Sequence, residues 1–431
     1  MNFLMNFLMN RSSLPPRHRR RAGILLAVGM LATVPSAFAV EGRTPGLARA
    51  VDAAWQRAAE ARRAEGETVR AATGRRIARS FAADEPALSY TRTDGEWYGG
   101  SRAAEGRETE VALSWPLWMP GQRGAALRAA RADVGWADAN LALTRLEVAG
   151  KVREAAWDIA VRQAELELVQ ARVGFMKKLA EDVDRRVGAG DLARSDALAA
   201  RADLLEAEAE RADAQRGLRA AQAEWRVLTG LEEMPDANEI ENESHLDVDK
   251  LVADAGTPPV LAAAEQAVQR AEGQLTAVRR SLGTPPELAI GTKKEVPGPG
   301  LPGENSLTVE LRVPLGLGAR RSQLRAQAQT ELDASQAELT LARSRQAAAL
   351  EESRLAIALA DQQLDSERQR TQLLGERSRL MQRAFAAGEI DLAELLRTLR
   401  TSTEADASLA RRHAEHGLAH ARLLQVIGML P

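Results

Sequence analysis

The sequence predicts a mainly α protein with a small β part: long antiparallel coiled-coil helical hairpins in two tandem repeats, with two short strands in each repeat, four strands per chain. Three observations predict it. Between Gly121 and Gly190, apolar residues recur in sevens at Leu127, Val134, Leu141 and Val148, shift by four, and resume in sevens at Val152, Ile159, Leu166, Val173, Ala180 and Val187. That is a coiled-coil seam with one stutter, on a helix that would run for roughly 100 Å at 1.5 Å per residue. The landmarks then recur: Pro116 answers to Pro314, Gly190 to Gly388 and Gly230 to Gly428, each 198 residues on, and Val152, Ile159 and Leu166 become Leu350, Ile357 and Leu364. Finally, aromatic residues make up only 3% of the chain, with 6 Phe and 2 Tyr, so close Ala/Leu helix packing has to replace an aromatic-filled core.

Taken in order, the chain opens with a basic segment, Arg17 to Arg21, an apolar run from Gly23 to Val34, and an A-x-A site at Ala37-Phe38-Ala39. This reads as a secretory signal peptide over residues 1–39, because the apolar run is too short for a membrane span of about 20 residues. The first repeat, 40–230, begins with a rising helix over Leu47–Ser80, weakened at Gly66 and Gly74. Two strands follow, Ala87–Thr93 and Thr109–Leu117, joined by an exposed Gly-rich loop, Asp94–Gly106. The long helix comes next, then a turn at Val187–Asp191, then a returning helix from Ser195 to Thr229. Residues 231–259 are acidic, end in Pro258-Pro259, and read as a connector at the waist of the rod. The second repeat, 260–431, has a rising helix over Val260–Leu282 and strands at Glu287–Lys294 and Leu307–Val313. Its long helix ends at Ala387, turns at Gly388 and returns to Gly428.

Composition narrows the function. With 58 basic against 60 acidic side chains, the chain lacks the positive excess of a nucleic-acid binder. The absence of cysteine removes disulfides, thiol catalysis and a lipidated Cys anchor. No nucleophile–base pair, phosphate loop or HExxH motif occurs, so neither an enzyme nor a cofactor is expected. Four strands cannot close a membrane barrel, and a sheet with free edges exposes unpaired backbone groups to lipid. Several chains must therefore share one barrel, and the apolar helices need neighbours as well.

At VALSWPLWMPGQR (Val111–Arg123), VELRVPLGLGARR (Val309–Arg321), VGAGDLARSDAL (Val187–Leu198) and AAGEIDLAELL (Ala386–Leu396) the chain resembles the TolC-like outer-membrane factors, the outer membrane efflux proteins. The wording GEIDLAELLRTLR resembles the heavy-metal (Czc-type) branch. The resemblance implies a homotrimer with a shared 12-stranded outer-membrane barrel and a periplasmic helical tunnel. The turns at Gly190-Asp191 and Gly388-Glu389 would meet a periplasmic adaptor (membrane fusion protein), itself joined to an inner-membrane transporter of the RND type. Heavy-metal cations, drugs and secreted proteins all remain as cargo, the last in a type I secretion system. The family's entrance acid, six positions after the turn glycine, falls on Asp196 and Glu394. The second acid and the basic partner known from TolC are replaced here by Arg397 and Ile390.

Two further sets of residues stand as candidates. Trp115 and Trp118 flank Pro116 where strand becomes helix, which suits either anchoring at the membrane surface or ordinary packing at a strand end. His413, His416 and His420 share one helix face at i, i+3 and i+7, a spacing that can offer imidazoles to a divalent metal or simply form a solvated face. A periplasmic coiled-coil scaffold without a barrel is the reading from another class. Two equivalent hairpins and two equivalent strand pairs favour the channel over it.

Overall fold

The computed structural model describes residues 45–98, 103–234, 248–281, 284–296, 302–314 and 318–431. The signal-peptide segment and residues 235–247 of the connector lie outside the described residues. One helix dominates: α3, Gln122–Ala189, 68 residues long, contains no proline and so has no residue that would remove a ladder hydrogen bond. It ends where Gly190 takes a φ of 88°, a left-handed conformation in which side chains are strained. The Gly190 N–H then bonds the Val187 carbonyl at 3.1 Å and the Asp191 N–H the Arg186 carbonyl at 2.9 Å, which satisfies the last carbonyls of the helix. α4, Arg194–Thr229, returns antiparallel and stops at Gly230, φ 74°.

The second half follows the same plan. A short helix α5, Val248–Asp254, precedes α6, Pro259–Arg280, which starts with Pro at a first-turn position, where its missing N–H costs nothing. α7, Gly318–Ala387, spans 70 residues, turns at Gly388 with φ 78°, and leads into α8, Leu392–Ile427. Helix ends at 189 and 387, and at 229 and 427, repeat the spacing of the sequence landmarks.

The heptads behave as read. Val148, Val152, Ile159, Val173 and Ala180 are buried, and Leu127, Val134, Leu141, Leu166 and Val187 are half-buried. Between them Ala125, Ala129, Ala137, Ala149 and Ala156 are also buried, so the contact stripe is wider than a two-position seam and is made largely of small side chains. Close approach is the result. Gly273 of α6 lies so near α3 that a Cβ there would stand 3.0 Å from the Ala129 Cα. One core cluster joins α1, α3, α4 and α8 around Val152, Trp157, Ile159 and Trp225. A second gathers near the turns, around Val183, Ala207, Phe385, Leu395 and Leu399.

The first rising helix differs from expectation. It is two helices, α1, Pro45–Arg57, and α2, Ala59–Ala78, broken at Ala58 with ψ 127°, while Gly66 and Gly74 sit inside α2. A glycine costs a helix only about 1 kcal/mol, which tertiary packing outweighs. The break follows from packing: α1 touches α3 and α4, and α2 continues along α3. Trp55 Nε1 donates across the break to Glu65 at 3.1 Å. The new helix start also holds the Glu60 carboxyl below its ordinary pKa, chiefly through its backbone hydrogen bond and then through Lys151.

The strands are longer than read. β1, Ala87–Tyr98, and β2, Ala103–Pro116, extend through most of the expected Asp94–Gly106 loop, with Gly95 opposite Gly106. The Arg92–Asp94 and Arg107–Asp94 ion pairs, at 2.8 and 3.0 Å, support this extension. β3, Glu287–Val296, and β4, Glu304–Arg312, complete an antiparallel sheet in the order β1-β2-β3-β4. Gly291 is required there, since a Cβ would meet the Ala112 Cβ at 2.7 Å and the Val111 carbonyl at 2.8 Å.

The junction between α3 and α8 offers a test. A Cβ on Gly417 would lie 1.8 Å from the ring of Trp157, which is itself only 4% exposed. Alanine is the better helix former by about 1 kcal/mol, but forcing a methyl into a packed core costs about 1–3 kcal/mol. With so large an overlap the clash is expected to win: Gly417→Ala should lower the thermal unfolding midpoint, whereas Gly375→Ala, with open space around it, should not.

Candidate functional site: a two-faced sheet and two helical turns

Side chains alternate across a strand, and the register assigns them to two unlike faces. One face carries Leu88 and Tyr90, Val111, Leu113 and Trp115, Leu288 and Ile290, then Leu307, Val309 and Leu311. This face is largely open, with Leu88 at 73% and Leu307 at 71% exposure. The opposite face carries Glu108, Glu110, Glu287, Glu295, Glu304 and Glu310 against Lys293 and Arg312. Lys293 Nζ bridges Glu108 at 2.9 Å and Glu295 at 3.8 Å, and Arg312 reaches Glu310 at 3.1 Å. Within the chain, β1 and β4 are edge strands. Among the described residues no helix is long and apolar enough to cross a membrane.

Where the sheet meets the helices, Trp115 is half-buried on the apolar face. Trp118, also half-buried, donates its Nε1–H to the Ser80 carbonyl at 3.2 Å, so its ring is tied to the end of α2. At the far end of the helices, Gly190, Asp191, Gly388 and Glu389 are all exposed. Asp196 accepts the Ala193 N–H at 3.1 Å, a helix-capping role that its family position did not announce. Glu394 is exposed, its backbone N–H bonds the Asp391 carboxylate at 2.7 Å, and among the described residues no ion pair links it to Arg397.

Sequence reasoning missed the ties between the two hairpins near the turns. Arg186 lies over the Phe385 ring at 4.9 Å and donates to the Phe385 carbonyl, and Arg400 of α8 reaches Asp203 and Glu206 of α4 at 3.3 and 3.1 Å. No local signal marks an Arg for a partner nearly 200 residues away. Heptad spacing, in contrast, would have found the exposed leucines of α7, at Leu341, Leu355, Leu359, Leu373 and Leu380, and those of α4, Leu198 and Leu205.

Two of the three histidines of the predicted face have partners of their own. His416 turns its Nε2 to Asp361 of α7 at 2.8 Å, while His420 is only 7% exposed and bonds the His416 carbonyl through Nδ1 at 3.1 Å. Their rings lie 4.7 Å apart. Among the described residues no group of three or more His, Cys, Asp or Glu could hold a metal ion.

A sheet apolar on one side and charged on the other, continued by paired helices far longer than a globular core, is a fold shared with outer-membrane channel proteins. Residues 48–231 match the family model of outer membrane efflux proteins. The fold is similar to that of CusC, known from crystal structures on its folding and transmembrane channel formation, with 13% identity over 90% of this chain and 93% of that one, TM-score 0.73. It is equally similar to the outer membrane protein VceC of Vibrio cholerae, 14% identical over 89% and 96%, TM-score 0.71. The open-state MtrE outer membrane channel of Neisseria gonorrhoeae is 16% identical over 90% and 93%, TM-score 0.71. At these identities the likeness is one of fold. No curated protein sequence matches the chain.

One titration follows from the packing of the helices. Asp406 lines a groove of about 540 Å³ between α3 and α8, together with Glu167, Arg172, Ser402 and Thr403, and burial there pushes its carboxyl above the ordinary aspartate value. The folded state therefore holds the proton more tightly than the unfolded one, so stability falls as pH rises from that ordinary value through the folded-state pKa. Asp406→Asn is expected to unfold at a higher temperature than the parent at neutral pH, and the gap should close as the pH is taken below the ordinary aspartate range.

Proposed function

We propose that the protein is the homotrimeric outer-membrane channel of a tripartite efflux system, in which three chains of four strands pool their sheets into one 12-stranded barrel above a helical tunnel. The observation that carries this reading is the open, two-faced sheet. Its apolar face suits lipid, its charged face suits a wet lumen, and its two edges find partners only in further copies. The exposed leucine rows of α7 and α4 supply the matching demand among the helices, since rows spaced by seven seek a partner helix. The repeated helix ends support an internal duplication, with 40–230 and 260–431 as its units and 231–259 as an equatorial connector.

Charge bears on the cargo. Six carboxylates against two cations on the lumenal face favour the passage of cations through field focusing in a narrow, low-dielectric pore, in keeping with the heavy-metal wording of residues 388–400. The exposed turns at Gly190-Asp191 and Gly388-Glu389 are the proposed contact for a periplasmic adaptor, which would connect the channel to an RND-type inner-membrane pump. Trp115, on the apolar face beside Leu113, is the proposed membrane-interface aromatic, with Trp118 bracing the junction behind it. Glu394 is the better aperture residue of the two acids, because Asp196 is engaged in capping α4. Outer-membrane lipid is the remaining partner.

Purified protein in detergent is expected to have the mass of a trimer and to conduct in planar bilayers with a reversal potential that favours cations. Glu394→Gln should weaken block by divalent ions added on the periplasmic side. A stable, non-conducting monomer would overturn the channel reading, and unchanged block would remove Glu394 from the mouth.

A further inference from the structure

The apolar face of the sheet ends abruptly. Three successive cross-strand rows are apolar apart from one threonine: Trp115, Leu288 and Leu311; then Leu88, Leu113, Ile290 and Val309; then Tyr90, Val111, Thr292 and Leu307. The next row, on the side away from the helices, consists of Arg92, Thr109, Lys294 and Asn305. It holds two cations and no carboxylate. One row further, Arg107 pairs with Asp94 in register, and Asp94 accepts from both Arg92 and Arg107, at 2.8 and 3.0 Å. The register sets Glu96 opposite Glu105 only in the row beyond that.

Rows on one face of a strand are spaced by about 6.7 Å. Three of them, tilted as barrel strands are, cover less than the roughly 25 Å apolar band of an outer-membrane barrel. A band this short brings the Arg92 and Lys294 row to the boundary of the hydrocarbon, where long cationic side chains extend toward the headgroups. Arg92 and Lys294 are exposed. The Asp94 carboxylate holds the Arg92 guanidinium by two contacts, Nε at 2.8 Å and Nη2 at 3.2 Å, and so fixes its plane on this face. What lies just outside hydrocarbon is the phosphate layer of the lipid, and guanidinium and ammonium groups are its charge-assisted partners.

We infer that Arg92 and Lys294, with Arg107 behind them, form a lipid-phosphate clamp that docks the headgroup of a phosphorylated outer-leaflet lipid against the outside of the sheet. The inference rests on the membrane reading above, in which the apolar face meets lipid. It assigns the clamp no part in conduction, because these side chains lie on the face opposite the lumenal carboxylates.

Native mass spectrometry of the detergent-solubilised protein, with diphosphorylated lipid A, fully dephosphorylated lipid A or inorganic phosphate, tests it. The parent protein is expected to retain the diphosphorylated lipid at least tenfold more than the dephosphorylated one. Inorganic phosphate should give no retained adduct, and Arg92→Gln with Lys294→Gln should erase the preference while leaving the oligomer mass unchanged. Equal retention of both lipids by the parent protein overturns the clamp without need of any variant, and retention of inorganic phosphate alone makes the site one for a free anion instead. If the double glutamine variant does not assemble, Arg92→Lys with Lys294→Arg takes its place: loss of the lipid preference in this charge-preserving pair overturns the clamp. A carbonate wash separates the underlying reading, since a chain released from outer membranes fails as a membrane channel whatever its affinity for lipid.

Discussion

A sheet with one apolar and one charged face leaves the outward-pointing backbone N–H and C=O groups of its edge strands, β1 and β4, without a neighbouring strand among the described residues. In hydrocarbon each such group costs several kcal/mol, and no side chain can supply a whole row of them. The strand-edge demand therefore governs the rest of the molecule. In the proposed channel it is met by other copies around a common axis, with the apolar face toward lipid and the helices that continue each strand arranged around the same axis.

The helices meet that demand by close packing of small side chains. Alanines at 125, 129, 137, 149 and 156 of α3 are buried, and glycines stand where a neighbour arrives within contact distance, as at Gly417 under Trp157 and Gly273 beside Ala129. Such contacts are individually weak, but they run the length of a 68-residue helix. The larger apolar groups gather in clusters along the rod, the two largest around Trp157 and Trp225 and near the turns. Ion pairs add little where they are exposed. Arg400 reaching from α8 to α4 acts instead as a geometric tie, holding the ends of the two hairpins together.

Much of this architecture was legible because its signals are local. Gly190, Gly230, Gly388 and Gly428 all adopt positive φ where a helix must stop, and the heptad rows report burial directly. The misses have a common cause in tertiary context. Ala58 carries no breaking signal, yet the chain bends there to exchange one set of helix neighbours for another. Gly95 and Gly106 read as loop residues, but facing each other across a ladder they are strand. The histidine spacing was a true statement about one helix; it could not say that Asp361 of α7 would take His416 and that His420 would turn inward. The cationic row at Arg92 and Lys294 was likewise invisible until the register aligned residues from three strands.

The absence of cysteine makes the closure of the barrel directly measurable. Antiparallel neighbours bring facing Cα atoms to about 4.5–5.5 Å, within disulfide range, so Ser89→Cys on β1 can be paired in turn with Ser306→Cys and Thr308→Cys on β4, all on the charged face of the sheet. If three chains share one barrel, one of these pairs will oxidise between chains to a covalent trimer on a non-reducing gel, and neither partner alone will do so. Folded, membrane-inserted protein that forms no interchain bond with any pair along the β4 edge would contradict the shared barrel.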